Sequence, residues 1–212
     1  ISELINNQTI LLVDAVTSLG TIELEVDKWG IDAIYSCSQK GLSCPPGASP
    51  ISFSEKALNK MKRRQKMVPN WYLDMTEIIK YWDGNQRVYH HTAPINMMYA
   101  LYQSLYDVLE EGIDNVIQRH YNSHLLLEKG LSDLGLELLV KKEARLPSLN
   151  AVKIPEGIND LDVRNKLLNE YHIEIGGGLG PFAGKVWRIG LMGHSARAEN
   201  INKLLDAFKA SL

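Results

Sequence analysis

The chain has 212 residues, 45% hydrophobic and 23% charged, with a net charge of −2. That composition is ordinary for a globular protein and leaves room for one or two domains with a sizeable core. The near-neutral balance gives no footing for nucleic acid, and no apolar run approaches the roughly 20 residues that span a bilayer.

Residues 1–8 read as the end of a helix already under way, stopped by Asn6-Asn7. Residues 9–14 read as a buried strand, because the run Ile10-Leu11-Leu12-Val13 is continuous rather than alternating. It ends on Asp14. Thr17 to Gly20 turn the chain, and Glu23 to Trp29 form a short polar connection. Ile31 to Ser36 are the next strand. Residues 39–47 form a loop rich in Gly and Pro around Lys40. Ala48 to Phe53 make a further strand, which Pro50 places at a sheet edge or a strand end.

Ser54 caps a helix that runs to about Arg63. The densest basic cluster, Lys60 to Lys66, reads as a solvated helix face or loop. From Gln65 to Val88 the pattern is irregular, with Trp71, Tyr72, Tyr81 and Trp82 available to pack under a long loop. Thr92-Ala93-Pro94 opens a long helix, in which Ile95, Met98, Leu101, Leu105, Val108 and Leu109 keep a helical period. Gly112 breaks it. A second helix runs from Ile113 to Leu134 and stops at Gly135.

Beyond Gly135 the character changes. Leu136 to Val140 and Asn150 to Ile154 read as strands, and Asn159 to Glu170 as a helix capped by Asn159 or Asp160. His172 to Ile175 form a strand entering Gly176-Gly177-Gly178. Val186 to Gly190 form another, and Ser195 caps a final helix to Leu212. This order describes an α+β unit with an antiparallel sheet. A domain boundary is placed near Glu110, dividing 1–110 from 111–212.

Two residues stand out chemically. Consecutive strands of a parallel sheet deliver Asp14 and Lys40 to the same carboxyl edge, where ligands bind in such sheets. Lysine is a poor core residue but a good nucleophile toward a carbonyl. A third, Arg188, lies among Val186, Trp187, Ile189 and Leu191, where a guanidinium needs a partner such as a buried acid. Bland roles compete: Lys40 as a surface lysine, Asp14 as a strand-end cap, Val16 as plain core packing and Thr92 as a helix N-cap. His90 and His91 are adjacent on a ligand-poor chain, which argues against a metal site. Gly176 to Gly180 lacks the lysine of a phosphate loop; its role is to let backbone pass close by. Cys37 and Cys44 match no zinc spacing and read as small, buried or half-buried residues in a reducing compartment.

Five stretches follow one another in a distinctive order: Asp14-Ala15-Val16, Ser38-Gln39-Lys40, Tyr89-His90-His91-Thr92-Ala93-Pro94, Gly176 to Gly180, and Lys185 to Gly193. On these the chain resembles the fold-type-I pyridoxal-phosphate enzymes. Within them it is most similar to the alanine–glyoxylate/serine–pyruvate aminotransferase family, which includes 3-hydroxykynurenine transaminases. The resemblance runs from about Ile10 to the C-terminus. It implies an α/β fold: part of a mostly parallel-sheet large domain, followed by a small α+β domain. The activity implied is pyridoxal-phosphate-dependent, ping-pong transamination from alanine or serine to a 2-oxo acid such as glyoxylate or pyruvate.

The same resemblance assigns roles. Lys40 is the Schiff-base lysine and proton shuttle, and Asp14 the partner of the pyridine nitrogen. Val16 packs on the ring and Gln39 contacts the phosphate. Tyr89 and Thr92 reach the partner's phosphate in a homodimer with shared sites. Arg188 clamps the substrate carboxylate, and Ser18 is a second substrate-side contact. Family members are nearly twice this length. The resemblance therefore implies either a fragment, inactive without its N-terminal half, or an N-terminal partner chain that carries the phosphate loop and the stacking aromatic ring. Cysteine desulfurase-like lyases share the fold type, but they use a mobile loop cysteine, which Cys37 and Cys44 do not match. The expected compartment is the cytoplasm; Ala210-Ser211-Leu212 is only loosely similar to a peroxisomal ending.

Overall fold

A first small sheet is built from three short strands. In the computed structural model, which describes residues 1–82 and 88–212, β1 (Leu12–Asp14) runs parallel to β2 (Ala33–Tyr35), with Asp14 opposite Tyr35. β3 (Ile51–Phe53) closes the other side of β2 antiparallel and is an edge strand, as Pro50 indicates. Ala15, Ile31 and Ile34 form its small core. The apolar run of β1 is not buried as expected: Leu12 is 62% exposed, because nothing among the described residues covers that face or pairs with the strand's outer edge.

Asp32 anchors this sheet. Its buried carboxylate accepts from Leu11 N–H at 3.0 Å, the Ser54 hydroxyl at 2.9 Å and Lys56 Nζ at 2.9 Å. Burial pushes this carboxyl up, but the Leu11 amide, Lys56 and Ser54 outweigh it, so the group sits below the usual carboxylate range. The lowered folded pKa means that its stabilisation is complete above the unfolded value of about 3.9 and is lost as pH falls through the folded value. Asp32→Ala leaves three donors without their acceptor and is expected to cost about 1–3 kcal/mol. Urea melts at neutral pH and in acid check this: the mutant should lose stability at neutral pH and show a shallower acid dependence.

Ser54 caps α1 (Glu55–Lys62), accepting from Ala57 N–H at 3.2 Å. Beyond it the basic cluster is solvated. The stretch read as irregular contains a helix, α2 (Met75–Trp82), eight residues long and too short for periodicity to reveal. Residues 83–87 of that stretch lie outside the described residues. Trp71, Tyr72 and Trp82 do not pack under a loop but are more than half exposed. Trp71 instead stacks on the buried ring of His90, centroids 3.9 Å apart.

α3 (Ile95–Glu111) begins later than Thr92, and Thr92 does not cap it. Pro94 is the capping residue, and a residue preceding proline avoids the helical region, so Ala93 cannot extend the helix backwards. Gly112, at φ +85, separates α3 from α4 (Ile113–Asp133). α4, β4 (Leu149–Lys153), α5 (Asp160–Tyr171), β6 (Val186–Gly190) and α6 (Ala198–Ser211) enclose the main core. Leu127/Leu131, Val163/Leu167 and Ile201/Leu204/Phe208 repeat at helical spacing and face Trp187 and Ile189 of the sheet. With β5 spanning Gly176–Gly177, the sheet order is β4–β6–β5, all antiparallel, as expected. Asn159 caps α5 as read, accepting from Leu161 and Asp162.

The three strands of the first sheet are shorter than expected, and further elements differ as well. Residues 136–140 make a single bridge, Leu138 to Val152, rather than a strand. The segment after α5 is spent on a left-handed cap at His172, φ 56, so strand pairing starts only with β5 (Gly176–Gly177). Ser195 does not cap α6. Its hydroxyl is engaged by Met192, accepting from its N–H at 3.0 Å and donating to its carbonyl at 2.9 Å. At the N-terminus the chain opens with a 3-10 turn, Ser2–Leu4. Among the described residues no helix is long and apolar enough to cross a membrane.

Candidate active site

Two parallel strands put their carboxyl ends side by side, and the candidate residues follow from that edge. Asp14 ends β1. Its Oδ1 accepts from Val16 N–H at 2.8 Å and its Oδ2 from the Tyr35 hydroxyl at 2.9 Å. The cap reading of Asp14 is therefore realised, yet the carboxylate stays exposed with lone pairs to spare. The bond to Asp14 pushes the Tyr35 phenol up. Tyr35 is a site residue that sequence reasoning missed; only strand register places it opposite Asp14.

Lys40 lies five residues beyond β2. It is half-buried, and its amine makes no hydrogen bond or ion pair among the described residues. Its loop is folded tightly onto the loop after β1. Ser36 donates to Ala15 O at 2.8 Å, and Ser38 donates to Pro45 O at 2.7 Å. A Cβ at Gly41 would stand 2.2 Å from the Leu19 carbonyl, so only glycine permits this approach. Val16 and Ser18 are half-buried in the first of these loops, and Gln39 is exposed in the second. Both cysteines are free thiols, Cys44 buried and Cys37 half-buried.

Tyr89 and Thr92 are exposed, and their hydroxyls pair at 2.7 Å. They precede α3, whose Ser104 donates to the Leu42 carbonyl of the lysine loop. Among the described residues no group of three or more His, Cys, Asp or Glu side chains is placed to hold a metal ion.

Arg188 is half-buried in mid-β6. Its Nε donates to Gly177 O at 2.7 Å, and no carboxylate pairs with it among the described residues. Its guanidinium lies over Gly176, where a Cβ would come within 3.3 Å of Nη2. The glycine run thus admits close backbone approach, most tightly at Gly178, where a Cβ would sit 1.9 Å from Phe182 O.

Two contacts bring the second sheet to this edge. Ser148, just before β4, donates to Thr17 O at 2.6 Å. His194, just after β6, donates its N–H to Ser43 Oγ at 2.7 Å. The loop after Asp14 and the loop that bears Lys40 therefore touch the segments flanking β4 and β6, and β6 is the strand that carries Arg188. Clefts of about 600 Å³ beside α1 and about 470 Å³ between α4 and α6 are lined by none of these three residues.

A half-buried amine without a partner among the described residues, a carboxylate with open lone pairs and a guanidinium with terminal nitrogens to spare are groups suited to an aldehyde, a protonated ring nitrogen and a carboxylate respectively. The profile of the family described as aminotransferase class-V matches residues 1–204. The chain is 42% identical to mouse (Mus musculus) alanine–glyoxylate aminotransferase over 208 residues, covering 97% of this chain and 50% of that protein. It is 35% identical to (S)-ureidoglycine–glyoxylate transaminase of Bacillus subtilis, covering 96% and 53%. The crystal structure of alanine–glyoxylate aminotransferase from Nostoc sp. superposes with a TM-score of 0.92 at 53% identity, covering 96% of this chain and 54% of that one. The chain thus spans about half the length of the curated relatives it matches.

Proposed function

Because the chain belongs to the aminotransferase class-V family and has the fold-type-I aminotransferase architecture, we propose that it supplies the lysine-bearing half of a pyridoxal-phosphate-dependent transaminase. The substrates in this reading are a small amino acid, alanine or serine, and a 2-oxo acid, glyoxylate or pyruvate. The observation that carries it is the partnerless amine of Lys40, one strand from Asp14 at the carboxyl edge. Glyoxylate stands in the names of both curated relatives above, which supports it as acceptor.

Pyridoxal phosphate, when bound, supplies an aldehyde for amine capture and a ring that accepts electron density from the substrate Cα. Lys40 supplies the amine that holds it and, once displaced, a base positioned to move the Cα proton. Asp14 holds a proton on the ring nitrogen by opposite charge. Val16 packs on the ring, and Gln39 contacts the phosphate. Tyr89 and Thr92 reach the phosphate of a partner subunit, and Ser18 joins Arg188 on the substrate side. The reading includes a homodimer. Exposed apolar residues along α3, among them Tyr99, Tyr102 and Leu109, each at least 70% exposed, support a packed partner there.

Glycine should form from glyoxylate when this half, combined with the complementary half that its relatives carry, is given alanine or serine with the cofactor, measured by amino-acid analysis. No transfer with either donor to either acceptor would overturn the substrate assignment. Asp14→Asn should leave the cofactor attached and slow exchange of the substrate Cα proton into D2O by roughly 100-fold or more, the size of one lost preorganised charge contact. An unchanged exchange rate with a lowered Tm would make Asp14 a structural cap.

A further inference from the structure

The turn after β6 is gripped from both sides, and one of those sides is the lysine loop. His120 on α4 is fully buried. Its Nε2 accepts from Gly193 N–H at 2.8 Å, so its other nitrogen carries the ring proton and donates to Val116 O at 2.7 Å. The next residue back, Arg119, takes the carbonyl of the same glycine, on the following peptide unit. Its Nη1 donates to Gly193 O at 2.7 Å and to Ala196 O at 3.1 Å. Its Nε and Nη2 fork onto Glu111 at 2.5 and 2.9 Å, which fixes the guanidinium plane. Adjacent residues of one helix thus satisfy both the N–H and the C=O of Gly193.

Gly193 passes this restraint on. It has φ +57, and a Cβ there would stand 1.9 Å from Ser43 Oγ and 3.1 Å from Gly41 O. The following N–H, that of His194, donates to Ser43 Oγ. Ser43 has φ 59, a left-handed conformation that surrounding structure must hold in a residue with a Cβ. Its own N–H donates to Lys40 O at 3.0 Å. A continuous chain of short contacts therefore runs from α4, through the turn after β6, to the peptide of Lys40.

We propose that His120 and Arg119 are positioning residues: by clamping Gly193 they dock the turn after β6 onto Ser43 and set the Lys40 loop in register with the strand that carries Arg188. The proposal rests on the roles given above to Lys40 and Arg188. None of the clamp residues touches the reacting atoms. The neutral ring of His120 suits the task, since a protonated Nε2 could not accept from Gly193; burial pulls its pKa below the ordinary value, which favours that neutral form.

The test needs no catalysis. Amide hydrogen exchange and 1H–15N spectra of the cofactor-free protein report Gly193, His194 and Gly41 to Ser43 directly. In His120→Gln the Oε1 reaches the place of Nε2 and can accept from Gly193; in His120→Asn the side chain is too short. Gln should keep Gly193 and His194 protection near wild type. Asn should speed their exchange on the order of tenfold or more and shift the Gly41–Ser43 amides. Should the Asn variant not fold, Ser43→Ala tests the chain from its exposed end. It should release the His194 amide and move the Gly193 resonance, while the α4 amides stay protected. Equal behaviour of Gln and Asn, or an unchanged His194 amide in Ser43→Ala, would overturn the proposal. The clamp is judged from amides and the role of Lys40 from cofactor attachment, so failure of one is distinguishable from failure of the other.

Discussion

Lys40→Ala is expected to abolish covalent retention of pyridoxal phosphate. The wild-type protein, incubated with the cofactor and treated with borohydride, should keep one cofactor mass per chain, and peptide mapping should place it on the peptide containing Lys40. Many other lysines of this chain are exposed and can react with an aldehyde at high concentration. Stoichiometry and site are therefore the readout, not labelling as such. Lys40 should win because its amine is half-buried and unpaired, whereas Lys28, Lys56, Lys80 and Lys153 are each engaged by a carboxylate. Lys40→Arg keeps charge and bulk but not the nucleophile, and should fail equally. A stoichiometric label on another lysine, or full retention in Lys40→Ala, would sink the assignment. Stability should hardly change, since the side chain makes no polar contact that the mutation removes.

What could be read from the sequence follows how local each determinant is. The caps at Ser54 and Asn159 were legible because the hydroxyl or amide and its N–H partners lie within three residues. β6 was legible to the residue because its apolar side chains Val186, Trp187 and Ile189 are buried by this same chain. β1 carries a similar run, but nothing among the described residues covers its exposed face or pairs with its outer edge, so the pattern was right and the exposure wrong. Ser195 and Thr92 look like caps by type. What decided against them was a competing partner, Met192 in one case and the Tyr89 hydroxyl in the other, with Pro94 at the helix start two residues later. The candidate site divides the same way. Asp14 and Lys40 were visible at strand ends. Tyr35, Ser148 and the His120–Gly193–Ser43 chain join residues as much as 151 positions apart, and nothing local marks them.

Arg188→Lys is expected to raise KM for amino acids by roughly 10- to 150-fold, leaving cofactor attachment intact. The buried ion pair that would make this arginine merely structural is absent among the described residues; its one polar contact is to the Gly177 carbonyl. The two terminal nitrogens are then available to a carboxylate in the parallel, two-bond geometry that a guanidinium offers and an ammonium does not. Lysine preserves the charge and loses that fork. The loss of one charge-assisted hydrogen bond, about 1.5–3 kcal/mol, converts to the stated range at 1.4 kcal/mol per decade. Simple amines, which have no carboxylate to clamp, should react almost as before. The comparison of amino acid with amine on one preparation isolates the clamp from any general loosening of β6, which a thermal melt would report separately. Equal losses for both substrate types would remove Arg188 from substrate binding, and a lowered Tm with unchanged KM would return it to the fold.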